Sequence, residues 1–244
     1  MQEIQDIKEV LQILDAQKIE EMVQKQQLAA LKDELSRLEG ADIAEIFHAL
    51  PKELYAKVYR ILPKELAAQA FAEMDADLQE SLIGIFTDRE LQSVLAELYL
   101  DDTVDMMEEM PASVVKRILS NSTPENRHTI NELLRYDSDS AGGLMTTEYM
   151  RLNGEMTVEQ AFATIRRLAY DKESVYNCYV TDGNRHLIGV VDVKTLLLTP
   201  YSKTIAECMN EDVIYFFTDT EKSEVGRAFQ KYYFMAFPVV YKEK

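Results

Sequence analysis

Residues that start helices recur along the first half of this 244-residue chain at a nearly fixed step. Pro51, Pro63, Asp75, Asp88, Asp101, Pro111 and Pro124 stand 12, 12, 13, 13, 10 and 13 residues apart. Proline suits a first helical turn, where its missing N–H would have no intrahelical partner. Aspartate suits it too, as a side-chain cap and as a negative charge at the positive end of the helix dipole. Between these signals Leu, Ile, Val, Phe and Ala fall on one side. Short helices recurring about every dozen residues cannot bury such a face alone, so the pattern predicts short helical hairpins stacked on one another.

Upstream, residues 1–39 read as helix. Ile4, Ile7, Leu11 and Leu14 make one apolar stripe, and Leu28, Leu31, Leu35 and Leu38 a second. Gly40 reads as the stop, and Asp42 with Glu45 as the next cap and capping box.

The texture changes at Tyr136–Met145, "YDSDSAGGLM", whose two glycines, two serines and two aspartates read as a linker. A β-α-β order follows. Thr157 and Gln160 cap a helix, "VYNCYV" (Val175–Val180) and "HLIGVV" (His186–Val191) are strands around a turn, and Val193–Leu198 is a short helix. The order then restarts with "VIYFF" (Val213–Phe217), a helix from Thr218 to about Tyr232, and "FPVV" (Phe237–Val240). The second copy has no counterpart of "HLIGVVDVKTLL". Half a repeat leaves a strand edge unpaired, so a continuation of the chain is expected.

Charge is spread unevenly. Residues 1–134 hold 13 bases and 27 acids, a net of −14, against −3 for the remainder. So acidic a half repels phosphate backbones and excludes nucleic acid as a partner. Cys178 and Cys208 form no CxxC, and His48, His128 and His186 have no partner at zinc-ligand spacing. There is no nucleophile–base motif and no phosphate loop, so an enzyme is not expected.

Residues 90–115 carry seven acids and no Lys or Arg. Glu97, Asp101, Asp105 and Glu108 step by +4, +4 and +3, which places them on one face if the segment is a single helix. Like charges at that spacing repel, so a cation or a basic surface is the expected complement, with a solvated acidic face as the alternative. Asp102 and Glu109 point off the stripe.

"LLRYDSDSAGGLMTTEYMRL" (Leu133–Leu152), "LYLDDTVDMMEEMP" (Leu98–Pro111), "LPKELAA" and "TDTE" (Thr218–Glu221) resemble the MgtE-type magnesium transporters, in which an acidic helical N domain leads into a pair of CBS domains and then into a membrane channel. The resemblance implies an all-α, right-handed superhelical N domain of short helical hairpins at 1–134 and a linker at 135–144. It implies a first α/β CBS domain at 145–200 and an incomplete second copy at 201–244. It also implies a cytosolic Mg²⁺ sensor on the inner face of the plasma membrane, gating its own transmembrane channel domain and forming a homodimer through the CBS domains. Asp101 and Asp105 match the positions where the family supplies carboxylates. Glu97 and Glu108 share their stripe unmatched, and Glu221 keeps the acid that ends "T-D-T-acid". Gln69 stands where some relatives have Glu. Asp219 and Glu221 also read as ordinary helix caps.

CBS pairs often bind adenine nucleotides through Asp in G-h-h-[ST]-x-x-D. Here Gly189-Val190-Val191-Asp192-Val193-Lys194-Thr195 puts Thr195 at that Asp, so ATP binding is expected to be weak or absent. An adenine-nucleotide sensor and a protein-docking scaffold are the rival readings.

Overall fold

The computed structural model describes residues 14–241. The chain divides into two compact units, one of residues up to 98 with 102–127, the other of 99–101 with 128 onward.

The first unit is built from short helices: α1 (Ala16–Gln24), α2 (Leu28–Leu35), α3 (Gly40–Ala49), α4 (Lys52–Ile61), α5 (Lys64–Ala72), α6 (Ala76–Ile85), α7 (Asp88–Leu95), most of α8 (Leu100–Glu108), α9 (Ala112–Asn121) and the start of α10 (Pro124–Leu133). The expected starts hold with a systematic offset. Pro51, Pro63 and Pro111 occupy the cap position one residue before their helices, with extended backbone, while Pro124 opens α10 itself. Asp75 caps α6 by accepting from the Leu78 N–H at 2.9 Å. Asp88 is the first residue of α7, whose cap is Thr87 in a capping box with Glu90.

Two local expectations are corrected. The described part of 1–39 is two helices, because its apolar stripes, Ile19, Met22 and Val23 against Leu31 and Leu35, are both buried and the chain must reverse between them. Gln26, with a φ of 57°, makes the reversal. Leu14 is buried ahead of α1, and the rest of the first stripe, Ile4, Ile7 and Leu11, lies outside the described residues. Gly40 starts α3 rather than stopping a helix. Its cap is Glu39, whose backbone N–H donates to Asp42 at 3.3 Å, so Asp42 is the box partner instead of the cap. A Cβ at residue 40 would sit 2.9 Å from the Gln69 carbonyl carbon, so glycine permits α3 to lie directly on α5.

The core of this unit runs through Phe47, Phe71, Phe86 and Tyr59, all buried and in ring contact. The Tyr59 hydroxyl donates to the Ala67 carbonyl at 3.0 Å, and its burial pushes its pKa up. Buried Gln79 donates to the Phe71 carbonyl at 2.9 Å. Each such bond satisfies a group whose burial unpaired would cost about 1–3 kcal/mol.

The second unit holds a three-stranded sheet in the order β1 (Tyr149–Asn153), β2 (Ser174–Thr181), β3 (Leu187–Asp192). β1 runs parallel to β2, joined through α11 (Val158–Leu168), and β3 returns antiparallel. Thr157 and Gln160 form the expected capping box, and α12 (Val193–Leu198) follows β3 directly. Met150, Leu152, Val158, Ala161, Cys178, Val180, Val191, Leu196 and Ile205 are the core. Burial pushes the Cys178 thiol up to about 12, which leaves it an inert core group. The second copy contributes β4 (Phe216–Phe217) paired in parallel with β5 (Val239–Val240), around α13 (Lys222–Tyr232). These elements are shorter than expected: α13 begins at Lys222 instead of Thr218, because residues 218–222 pair with the junction that precedes β1.

The architecture is thus a helical domain of short hairpins followed by an α/β region with a partial second copy.

Candidate functional site

α8 is where the acidic stripe meets the structure. Its inner side is fixed by Val104, Met106 and Met107, all buried, with Met110 buried just beyond its end. That leaves Asp105 and Glu108 exposed on the opposite side, one turn apart, with Asp102 and Glu109 also exposed. Asp101, the second residue of the helix, is half-buried. Among the described residues no Lys, Arg or His forms an ion pair with Asp105 or Glu108.

Glu97 is not on this helix. It lies in the turn after α7, and its carboxylate is ion-paired with Lys64 of α5. The sequence spacing of +4 to Asp101 holds, but the turn at residues 96–99 interrupts the helix that would align them. Similar pairs recur along the stack: Arg60 binds Glu90 at 2.7 Å, and Arg117 binds Asp88 at 3.0 Å. Basic partners absent from the neighbouring sequence are thus supplied by helices about thirty residues away.

Glu221 takes its place in a different setting. It precedes α13 as its cap residue; its side chain accepts no backbone N–H there but takes the Ser223 hydroxyl at 3.4 Å, and its charge sits at the positive end of the helix dipole. It lines a cleft of about 910 Å³ within the second unit, together with Asp137, Asp139, Asp219, Arg135 and Lys222. Asp137 and Asp139 were hidden in a stretch that reads as linker. The available signal was the two acids of "YDSDS", meaningful only once the junction is known to fold against Thr218–Glu221.

Asp105 and Glu108 share the exposed side of α8, Asp101 stands at its start, Glu97 lies in the turn before it, and Glu221 lines the cleft of the second unit. Among the described residues no three of His, Cys, Asp and Glu are grouped closely enough to enclose a metal ion. What they offer is pairs of exposed oxygen donors, the chemistry that suits Mg²⁺, which keeps several waters and takes one or two carboxylates. Each of the three histidines stands beside a carboxylate, His48 by Asp75, His128 by Glu132 and His186 by Asp182.

At the junction of β3 and α12, Asp192 caps α12 by accepting the Thr195 N–H at 2.6 Å. The only carboxylate of the 189–195 motif is thereby engaged at the helix start.

The model of the MgtE intracellular N domain matches residues 38–139, and that of the CBS domain matches 141–199. The crystal structure of the cytosolic domain of the Mg²⁺ channel MgtE in complex with ATP is 33% identical, covers 93% of both chains and superposes with a TM-score of 0.86. The chain belongs to the MgtE family. A second solved structure, the soluble part of a magnesium transporter, is 26% identical, covers 91% of this chain and 87% of its own, and has a TM-score of 0.83. The magnesium transporter MgtE of Thermus thermophilus is 38% identical over 148 residues, which are 59% of this chain and 33% of that protein. Matches to the curated MgtE relatives span between 25% and 46% of their lengths, so this chain corresponds to part of them. These relatives are named as transporters rather than enzymes. No helix among the described residues is long and apolar enough to cross a membrane.

Proposed function

We propose that this chain is the cytosolic Mg²⁺-sensing region of a magnesium transporter, at the inner face of the plasma membrane. The observation that carries the reading is the likeness, over 93% of both chains, to a cytosolic domain of MgtE. Its acidic character supports it, with Asp105 and Glu108 exposed on α8 and Glu221 lining a cleft beside three further carboxylates. At low Mg²⁺ the acidic N domain and the acids of the CBS region repel. At high Mg²⁺ hydrated ions bridge them, the module closes, and an attached multi-pass channel is held shut. The bias toward closure is bounded by the difference in Mg²⁺ affinity between the two states. Asp101 and Asp105 carry most of this response, with Glu108 and Glu221 in support.

Two chains associate through residues 145–244. Phe234 is 50% exposed, Tyr233 88% and Met235 74%, a large apolar surface for one chain to leave in water.

A second reading, an adenine-nucleotide sensor, is favoured by the solved relative in complex with ATP. Thr195 at the ribose-binding position, and Asp192 engaged at the α12 cap, speak for weak or no ATP binding here.

Thermal melts with MgCl₂ or with NaCl at matched ionic strength test the main reading. Site binding raises Tm with Mg²⁺ beyond the effect of NaCl, because a ligand that prefers one folded state stabilises it by mass action. Equal effects of the two salts at matched ionic strength would reduce the acids to a screened surface.

A further inference from the structure

We infer that residues 137–143 are a clasp and not a tether, locking the end of α10 to the entrance of α13 so that the two open as one body. The segment has the composition of a flexible linker, but Ser140 is only 7% exposed and Ala141 2%. It folds on itself first. The Asp137 carbonyl accepts from both the N–H and the hydroxyl of Ser140, at 2.9 and 2.7 Å, and the Ser140 hydroxyl oxygen accepts the Gly143 N–H at 3.2 Å. It then pairs with the second copy. The Ala141 N–H donates to the Thr220 carbonyl at 2.8 Å, Gly142 N–H to Thr218 at 2.9 Å, and Lys222 N–H to Asp139 at 2.8 Å.

No glycine among the described residues has a positive φ, so Gly142 and Gly143 are not needed for a left-handed turn. They are needed for closeness. A Cβ at residue 142 would lie 2.7 Å from the Tyr136 ring and 2.9 Å from the Thr218 carbonyl oxygen, and one at 143 would lie 2.3 Å from the Asp137 carbonyl oxygen. On the other side there is no slack. Leu134 N–H donates to Ile130 at 2.9 Å and Tyr136 N–H to Leu133 at 3.0 Å, so α10 runs into the clasp within a few residues. Displacement of Thr218–Glu221 is therefore passed to α10, and Ser140 and Gly142 are positioning residues for Glu221.

Amide hydrogen exchange, in buffer without divalent ions, tests this. The amides of Ala141, Gly142 and Lys222 should be protected and exchange at similar rates. Gly142→Ala should speed all three, and the amides of 130–136 with them, by about tenfold or more, since they belong to one opening unit. Amides pairing β2 with β3 should keep their rates. Ser140→Ala, which removes the hydroxyl without adding bulk, should give a smaller acceleration of the same set, and it carries the test if Gly142→Ala does not fold. Rapid exchange of 141 and 142 in the unaltered chain would overturn the clasp. So would acceleration of 141 and 142 with 222 and 130–136 unchanged.

Discussion

Lys64 of α5 and Glu97, 33 residues later in the turn after α7, form an ion pair. Glu97 is the acid that heads the sequence stripe, and a resident lysine already neutralises it. Glu97→Gln should therefore leave the Mg²⁺-induced rise in Tm unchanged. Its cost in stability should stay within about 1 kcal/mol, as for exposed pairs in general. Scanning calorimetry at several MgCl₂ concentrations checks both. A Glu97→Gln chain that loses the Mg²⁺ response would return Glu97 to the ligand set.

Much of the helical region was legible because each start depends on one residue and its own backbone. Asp75 capping Leu78, and Thr157 boxed with Gln160, are interactions three residues long that a sequence displays directly. β2 and β3 were legible as short apolar and aromatic runs on either side of an Asp-Gly turn, while β1 (Tyr149–Asn153) was not read from the sequence. What stayed hidden depended on distant partners. Gly40 reads as a stop until Gln69 is seen against it. "YDSDSAGG" reads as a tether until Thr218 and Thr220 supply its hydrogen bonds. For the acids, spacing showed the charge density of α8, while the Lys64 and Arg60 that answer Glu97 and Glu90 come from other layers of the stack.

Gly40 gives a stability test of that packing. Gly40→Ala would improve helix propensity, yet its Cβ would press on the backbone of Gln69 and Ala70, which cannot swing aside as a side chain can. A net destabilisation of about 1–3 kcal/mol is expected, the range for forcing atoms into a filled core. Urea denaturation measures it, and an unchanged or raised midpoint would show that α3 and α5 are not in tight contact.

Acid stability should depend on Glu90. Its hydrogen bond to Arg60, helped by the Thr87 backbone, holds its carboxyl down at about 2 against an ordinary 4.5. A carboxyl depressed on folding binds protons better when unfolded, so its stabilisation is complete above 4.5 and disappears as pH falls through about 2. Glu90→Gln should be less stable than the unaltered chain at pH 6, and the gap should close between pH 4.5 and 2. Urea midpoints across that range decide it: a gap that stays constant would show that the Arg60 pair is not formed in solution.

With Thr195 at the ribose-binding position and Asp192 capping α12, ATP should give little or no heat on titration. Tight binding that is abolished by Lys194→Ala or Thr195→Ala would place a working nucleotide site in this loop and raise the rival function above the Mg²⁺ sensor.

The acidic face of α8 is the sharpest test of the proposed function. Asp101 and Asp105 stand one turn apart on one helix, with Glu108 following, so each raises the electrostatic cost of the others. Asp101→Asn with Asp105→Asn removes two of these charges while keeping the side-chain shapes. Without Mg²⁺ the double variant should melt higher than the unaltered chain, because repulsion is relieved. With Mg²⁺ it should gain less, because the donors that favour the closed state are gone. The opposite signs of these two effects separate a cation site from ordinary surface charge, which would shift both melts alike. A double variant with the full Mg²⁺ response would leave α8 as a solvated face and move the sensing role to the cleft around Glu221.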